Sequence, residues 1–130
     1  MTDEAAVRQM LNEYYRAFST LSVQAIYPYL HLPALLIDPL GVIPLPMPSA
    51  IEPIFAPVME GLRIRGYARS ELGSQEIRIL SAQSASATGV AIRYKSTGEE
   101  LERAGISYLL RKTDDAWKIV VMVLHDAAKP

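Results

Sequence analysis

Tyr14 and Asp38 are the residues on which acid–base chemistry would turn. Tyr14 lies in the run Met10-Leu11-Asn12-Glu13-Tyr14-Tyr15-Arg16-Ala17-Phe18, and Asp38 closes Leu35-Leu36-Ile37 just ahead of Pro39-Leu40-Gly41. Removing a proton beside a carbonyl needs a base on one side and a donor to the developing oxyanion on the other. A carboxylate and a phenol supply one of each. Each residue also has a plainer reading. Tyr14 on an apolar helix face is a large core residue whose hydroxyl needs one partner. Asp38 can cap a tight turn by accepting a hydrogen bond from the backbone two residues on.

Other chemistry is thinly represented. His31 precedes Leu32-Pro33 and reads as a ligand contact near the mouth of a pocket, while His125 stands beside Asp126 at the end of the last strand. Neither histidine has a carboxylate at ligand spacing, so no metal is expected. Arg93, between Ile92 and Tyr94, reads as a surface or interface charge with a partner. A Gly-rich phosphate loop and a Gly-x-Ser-x-Gly elbow are both missing from the sequence, which removes phosphoryl and acyl transfer and leaves no cofactor to expect.

The elements that must position these groups are legible from periodicity. Val7, Met10, Leu11, Tyr14, Tyr15, Phe18 and Leu21 make a helical stripe that Thr2 or Asp3 can cap. A short second helix is predicted from Ser22 to about Leu30, then a strand over Ala34–Ile37, a turn at Asp38–Gly41 and a returning strand Val42–Leu45. Pro44 and Pro46 confine that return to a sheet edge. Ser49-Ala50-Ile51-Glu52 has the form of a capping box, predicting a third helix with Ile51, Ile54, Phe55, Val58 and Leu62 inward and Gly66 just past its end. Pro57 is expected to kink that helix or delay its start. From Tyr67 the period becomes two, giving strands over Tyr67–Leu72 with Glu76–Ala82, Thr88–Lys95, Ile106–Arg111 and Trp117–Leu124.

Composition bounds the rest. The chain has 130 residues, half of them hydrophobic, with a net charge of −1 and no cysteine. That is one domain, 1–130, with neither a basic groove for nucleic acid nor any disulfide or thiolate chemistry. The apolar stretch Leu32 to Phe55 is broken by Asp38, Glu52 and prolines, which rules it out as a membrane span. The acidic start Met1-Thr2-Asp3-Glu4 lacks the form of a secretory leader, and a cytoplasmic protein is expected.

Helices, a small hairpin, another helix and a long antiparallel meander together resemble the NTF2-like, or cystatin-like, α+β cone. Tyr14-Tyr15-Arg16-Ala17-Phe18, Gly66-Tyr67 and Ala116-Trp117-Lys118-Ile119 fit it locally. Within that superfamily the first forty-one residues are most similar to the ketosteroid isomerases, near the SnoaL-like cyclases. That resemblance implies Tyr14 as oxyanion donor and Asp38, in Asp38-Pro39-Leu40-Gly41, as proton shuttle. The same family places an acid on the next-to-last strand, where this chain has Gly105-Ile106-Ser107-Tyr108 instead.

The expected function is therefore the binding of a small, mostly apolar, carbonyl-containing molecule, with cofactor-free isomerase or cyclase chemistry. The alternative is a non-catalytic binding or dimerisation domain. Ligand contacts are expected from His31, Tyr108, Met122, Leu124, Phe55 and Phe18. The last strand is apolar on both faces, so a homodimer through the sheet is expected; the ketosteroid-isomerase resemblance implies that the even-numbered face is inward, which puts Ile119, Val121 and Val123 at the interface.

Overall fold

The computed structural model describes residues 1–126. Helix α1 spans Asp3–Ser19, and the Thr2 side chain caps it by accepting from the Ala5 amide at 3.1 Å. Its predicted stripe is buried from Val7 to Phe18. Leu21 falls beyond the helix, in a left-handed conformation at φ 57°. The predicted second helix divides into α2, Val23–Ile26, and a 3-10 turn, Tyr27–Tyr29, before β1 begins at Leu30. Pro28 accounts for the change, since it brings no amide to continue the α-helical ladder.

Strand β1 (Leu30–Asp38) forms a hairpin with β2 (Gly41–Leu45), and Pro44 lies on this outermost strand. Helix α3 runs Pro48–Ile64. It starts one residue before the expected capping box, because Pro48 occupies the first turn, where a fixed φ and a missing N–H are harmless. Met47 is the N-cap, and no side chain caps it. The helix continues through Pro53 and Pro57, so Pro57 does not mark its start. Both prolines are exposed, which lets water reach the carbonyls they leave unpaired. Burial of Ile51, Phe55, Met59 and Leu62, at about 1.5–3 kcal/mol each, offsets the lost ladder bonds. Met59 was not in the predicted stripe, and Val58, which was, is 43% exposed.

The meander comprises β3 (Tyr67–Ile79), β4 (Ser84–Lys95), β5 (Glu100–Thr113) and β6 (Ala116–His125). All six strands form one sheet in the order β2-β1-β6-β5-β4-β3, with β1 parallel to β6 and every other pair antiparallel. Strand β5 is eight residues longer than the predicted Ile106–Arg111. Its charged first half is held by Glu102, which sits opposite Arg93 in the β4 ladder.

One irregularity reassigns a face. Leu109 pairs with Val121 but Leu110 pairs with Ile119, leaving Val120 as the extra residue of a β-bulge. Before the bulge Trp117 and Ile119 point into the core, and after it Met122 does. Ile119 is fully buried, so it is not an interface residue. The even-inward expectation holds for only the second half of the strand. Among the described residues no helix is long and apolar enough to cross a membrane.

Candidate functional site

Between α1, α3 and the inner face of the sheet lies a cavity of about 120 Å³. On β4 it is the small Ala91 that lines the cavity wall, while Ala85 and Ala87, further back on the strand, are buried in the core. Tyr14, Phe18, Phe55, Tyr108, Met122 and Leu124, all singled out in the sequence, line it too. Val58 and Leu124, 43% and 37% exposed, mark the side on which it meets solvent.

Three phenols meet inside. The Tyr15 and Tyr108 hydroxyls are 2.8 Å apart, and either can donate to the other. The Tyr14 hydroxyl donates to the Met122 thioether sulfur at 3.9 Å, a weak acceptor. Their rings stack at the edges, with Tyr14 packing obliquely on Tyr15 and edge-on against Tyr108. Burial raises all three above the ordinary phenol value. For Tyr15 the bond from Tyr108 and the nearby Arg93 charge work against that, and it still reaches about 12. The three therefore stay neutral near pH 7 and act as O–H donors.

Asp38 and His31 are not among the residues lining this cavity. Asp38 shares a strand face with the cavity-lining Leu36, by the two-residue alternation of β1. Its Oδ1, however, accepts from the Leu40 and Gly41 amides at 2.8 and 3.0 Å, closing the β1–β2 turn. The carboxylate is half-buried at the hairpin tip, beside an almost fully exposed Leu40, rather than at a closed apolar end. His31 Nδ1 lies 3.1 Å from the Pro33 carbonyl oxygen, on β1. Asp38→Ala should lower stability by about 1–2 kcal/mol through loss of two amide partners, read as a drop in melting temperature. An unchanged melting temperature would remove the turn-capping role.

Arg93, read from sequence as a surface or interface charge with a partner, has that partner but belongs to the cavity. It lines the cavity, its guanidinium carbon sits 5.3 Å from the Phe18 ring centre, and Nη1 donates to Glu102 Oε2 at 2.9 Å. Glu102 is the partner that a half-buried strand arginine requires. The signal was inward parity: Ala85, Ala87, Gly89 and Ala91 alternate on the core side, and Arg93 is the next residue in that series. Tyr15, placed by sequence only on the α1 stripe, also contributes its hydroxyl.

A curved, open six-stranded mixed sheet wrapped over helices, with an apolar cavity on its inner side, is the NTF2-like or cystatin-like cone. The chain belongs to the family of NTF2-like proteins DUF6841, whose profile matches residues 3–127. No curated protein matches it. Among solved structures it is similar to an NTF2-like protein with a cystatin-like fold from Novosphingobium aromaticivorans, with a TM-score of 0.79, 13% identity, and coverage of 98% of this chain and 84% of that one. Aln2 from a Streptomyces species gives 0.79 at 14% identity, covering 97% and 93%. A protein of unknown function with a cystatin-like fold from Nostoc punctiforme gives 0.76 at 11%, covering 98% and 94%. At these identities the likeness is one of fold.

Proposed function

We propose that this protein binds a small, mostly apolar molecule in its cavity and orients one ligand oxygen with the tyrosine hydroxyls. The observation that carries this reading is the Tyr14 hydroxyl. It is buried in an apolar wall, and a thioether is its only partner among the described residues. A ligand carbonyl or hydroxyl would be a much better acceptor. The volume limits the ligand. An engineered cavity of about 150 Å³ holds benzene, so about 120 Å³ suits one ring or a short branched chain and not a fused polycycle.

Binding without chemistry fits the geometry better than proton transfer. A base at Asp38 would have to act from the hairpin tip while its Oδ1 holds two turn amides. The test is calorimetry with benzyl alcohol and toluene. Tyr14→Phe should weaken benzyl alcohol about 3- to 10-fold, the worth of one hydrogen bond, and leave toluene unchanged. Ala91→Leu should fill the space and abolish both. Equal loss of both ligands in Tyr14→Phe would take the hydroxyl out of the site, and full binding by Ala91→Leu would place it elsewhere.

The same reading includes a homodimer through the outer face of the sheet. Leu35 pairs with Val121, Ile37 with Val123 and Leu109 with Val121, so these five share one apolar strip across β1, β6 and β5. Leu109 is 46% exposed. Its edge is polar, where Ser107 Oγ lies 3.1 Å from both Thr88 Oγ1 and His125 Nε2. An apolar centre with a polar rim is the composition of a subunit interface, and a second copy meets it through a twofold axis.

A further inference from the structure

We infer that the cavity's ligand is a small carboxylate, of the size of a single aromatic acid, whose anionic head is received by Arg93 and whose ring lies among Tyr14, Phe18 and Phe55. This rests on the reading of the cavity as a binding site and names the class of ligand it takes. Of the described residues that line the cavity, Arg93 alone is charged. Its charge is only partly neutralised. Glu102 accepts from Arg93 on Oε2 and from Arg65 on Oε1, so two cations share one anion and the cluster keeps a net positive charge. Burial works to raise Glu102, yet the two arginines hold it below the usual carboxylate range, so it stays ionised and does not compete as a proton donor.

The hydrogen-bond inventory points the same way. Among the described residues Nη1 is the only guanidinium nitrogen of Arg93 with a partner, which leaves N–H donors on Nε and Nη2. The Tyr15–Tyr108 pair uses one of its two hydroxyl protons internally and has one left, and the Tyr14 proton rests on sulfur. The wall thus offers a surplus of donors, one of them a planar cation. A carboxylate supplies about four lone-pair sites and matches the guanidinium fork. A neutral alcohol or ketone would satisfy the phenols and leave the surplus positive charge of the Arg93–Glu102–Arg65 cluster uncompensated. Apart from Ser70, whose Oγ lies 2.6 Å from the Tyr67 hydroxyl, the remaining wall is apolar: Phe18 and Phe55 pack edge-on at 6.5 Å between ring centres and bound the space for a ring.

Calorimetric titration of benzoate and of benzyl alcohol, its neutral counterpart of similar shape, tests this on the full chain. Wild type should bind benzoate 10- to 100-fold more tightly, the value of charged over neutral hydrogen bonding. Arg93→Met should erase that preference, costing benzoate more than benzyl alcohol. Arg93→Lys, which keeps the charge but not the fork, should retain part of it. Benzyl alcohol bound as tightly as benzoate by wild type would overturn the carboxylate assignment while leaving the cavity as a binding site, and this comparison needs no variant to fold. A benzoate preference that survives in a folded Arg93→Met protein would also overturn it. Failure of wild type to bind either compound would sink the cavity reading and this one with it.

Discussion

Val121→Asp should convert the protein from dimer to monomer at micromolar concentration. Val121 sits at the centre of the outer strip, paired with Leu35 on one side and Leu109 on the other. A carboxylate there would be desolvated in the proposed interface, a loss of at least about 3 kcal/mol or more than 100-fold in Kd. Light scattering and sedimentation read the result directly. A wild-type monomer would end the dimer proposal, and a Val121→Asp protein that remains a well-behaved dimer would move the interface off this face. The strip differs from the one expected from sequence because Ile119, ahead of the bulge, belongs to the core.

The second large effect is alkaline. Tyr15 is raised to about 12 in the fold, against an unfolded value of about 10. The folded state therefore keeps a proton that the unfolded chain releases. The stabilisation is fully present below about pH 10 and is lost as pH rises through about 12. Two units amount to roughly 3 kcal/mol, and burial of Tyr14 and Tyr108 adds in the same direction. Wild type should thus lose melting temperature steeply between about pH 10 and 12, with phenolate absorbance appearing together with loss of circular dichroism. Tyr15→Phe should show a shallower slope over the same window. Parallel slopes for the two proteins would mean that Tyr15 is ionising inside the folded state.

The order of elements was legible because each rests on local periodicity: the α1 stripe from Val7 to Phe18, the Asp38–Gly41 turn, and Gly66, whose φ of 82° ends α3. Cavity residues on those stripes, such as Tyr14 and Phe18, were legible with them. What failed depended on contacts distant in sequence. The predicted strand left out the charged first half of β5, where Glu102 stands opposite Arg93 on β4. Asp38 closes the run Leu35-Leu36-Ile37, but it stands at a hairpin tip whose next residues, Pro39 and Leu40, are exposed. The missing acid on β5 was read as a loss; in its place Tyr108 meets Tyr15.

The bulge at Val120 carries a consequence for comparing members of this family. Upstream of it the core takes odd-numbered residues of β6, and downstream the cavity takes even-numbered ones. A relative lacking that single residue would build the same cavity wall from side chains displaced by one position. Aligned without a gap, its Met122 and Leu124 equivalents would fall opposite Val121 and Val123, and wall and subunit surface would trade labels. Deleting Val120 from this chain tests the point physically: Ile119, Val121 and Met122 then alternate inward, outward and inward opposite Leu110, Leu109 and Tyr108, so the strand loses its bulge and keeps both of its faces.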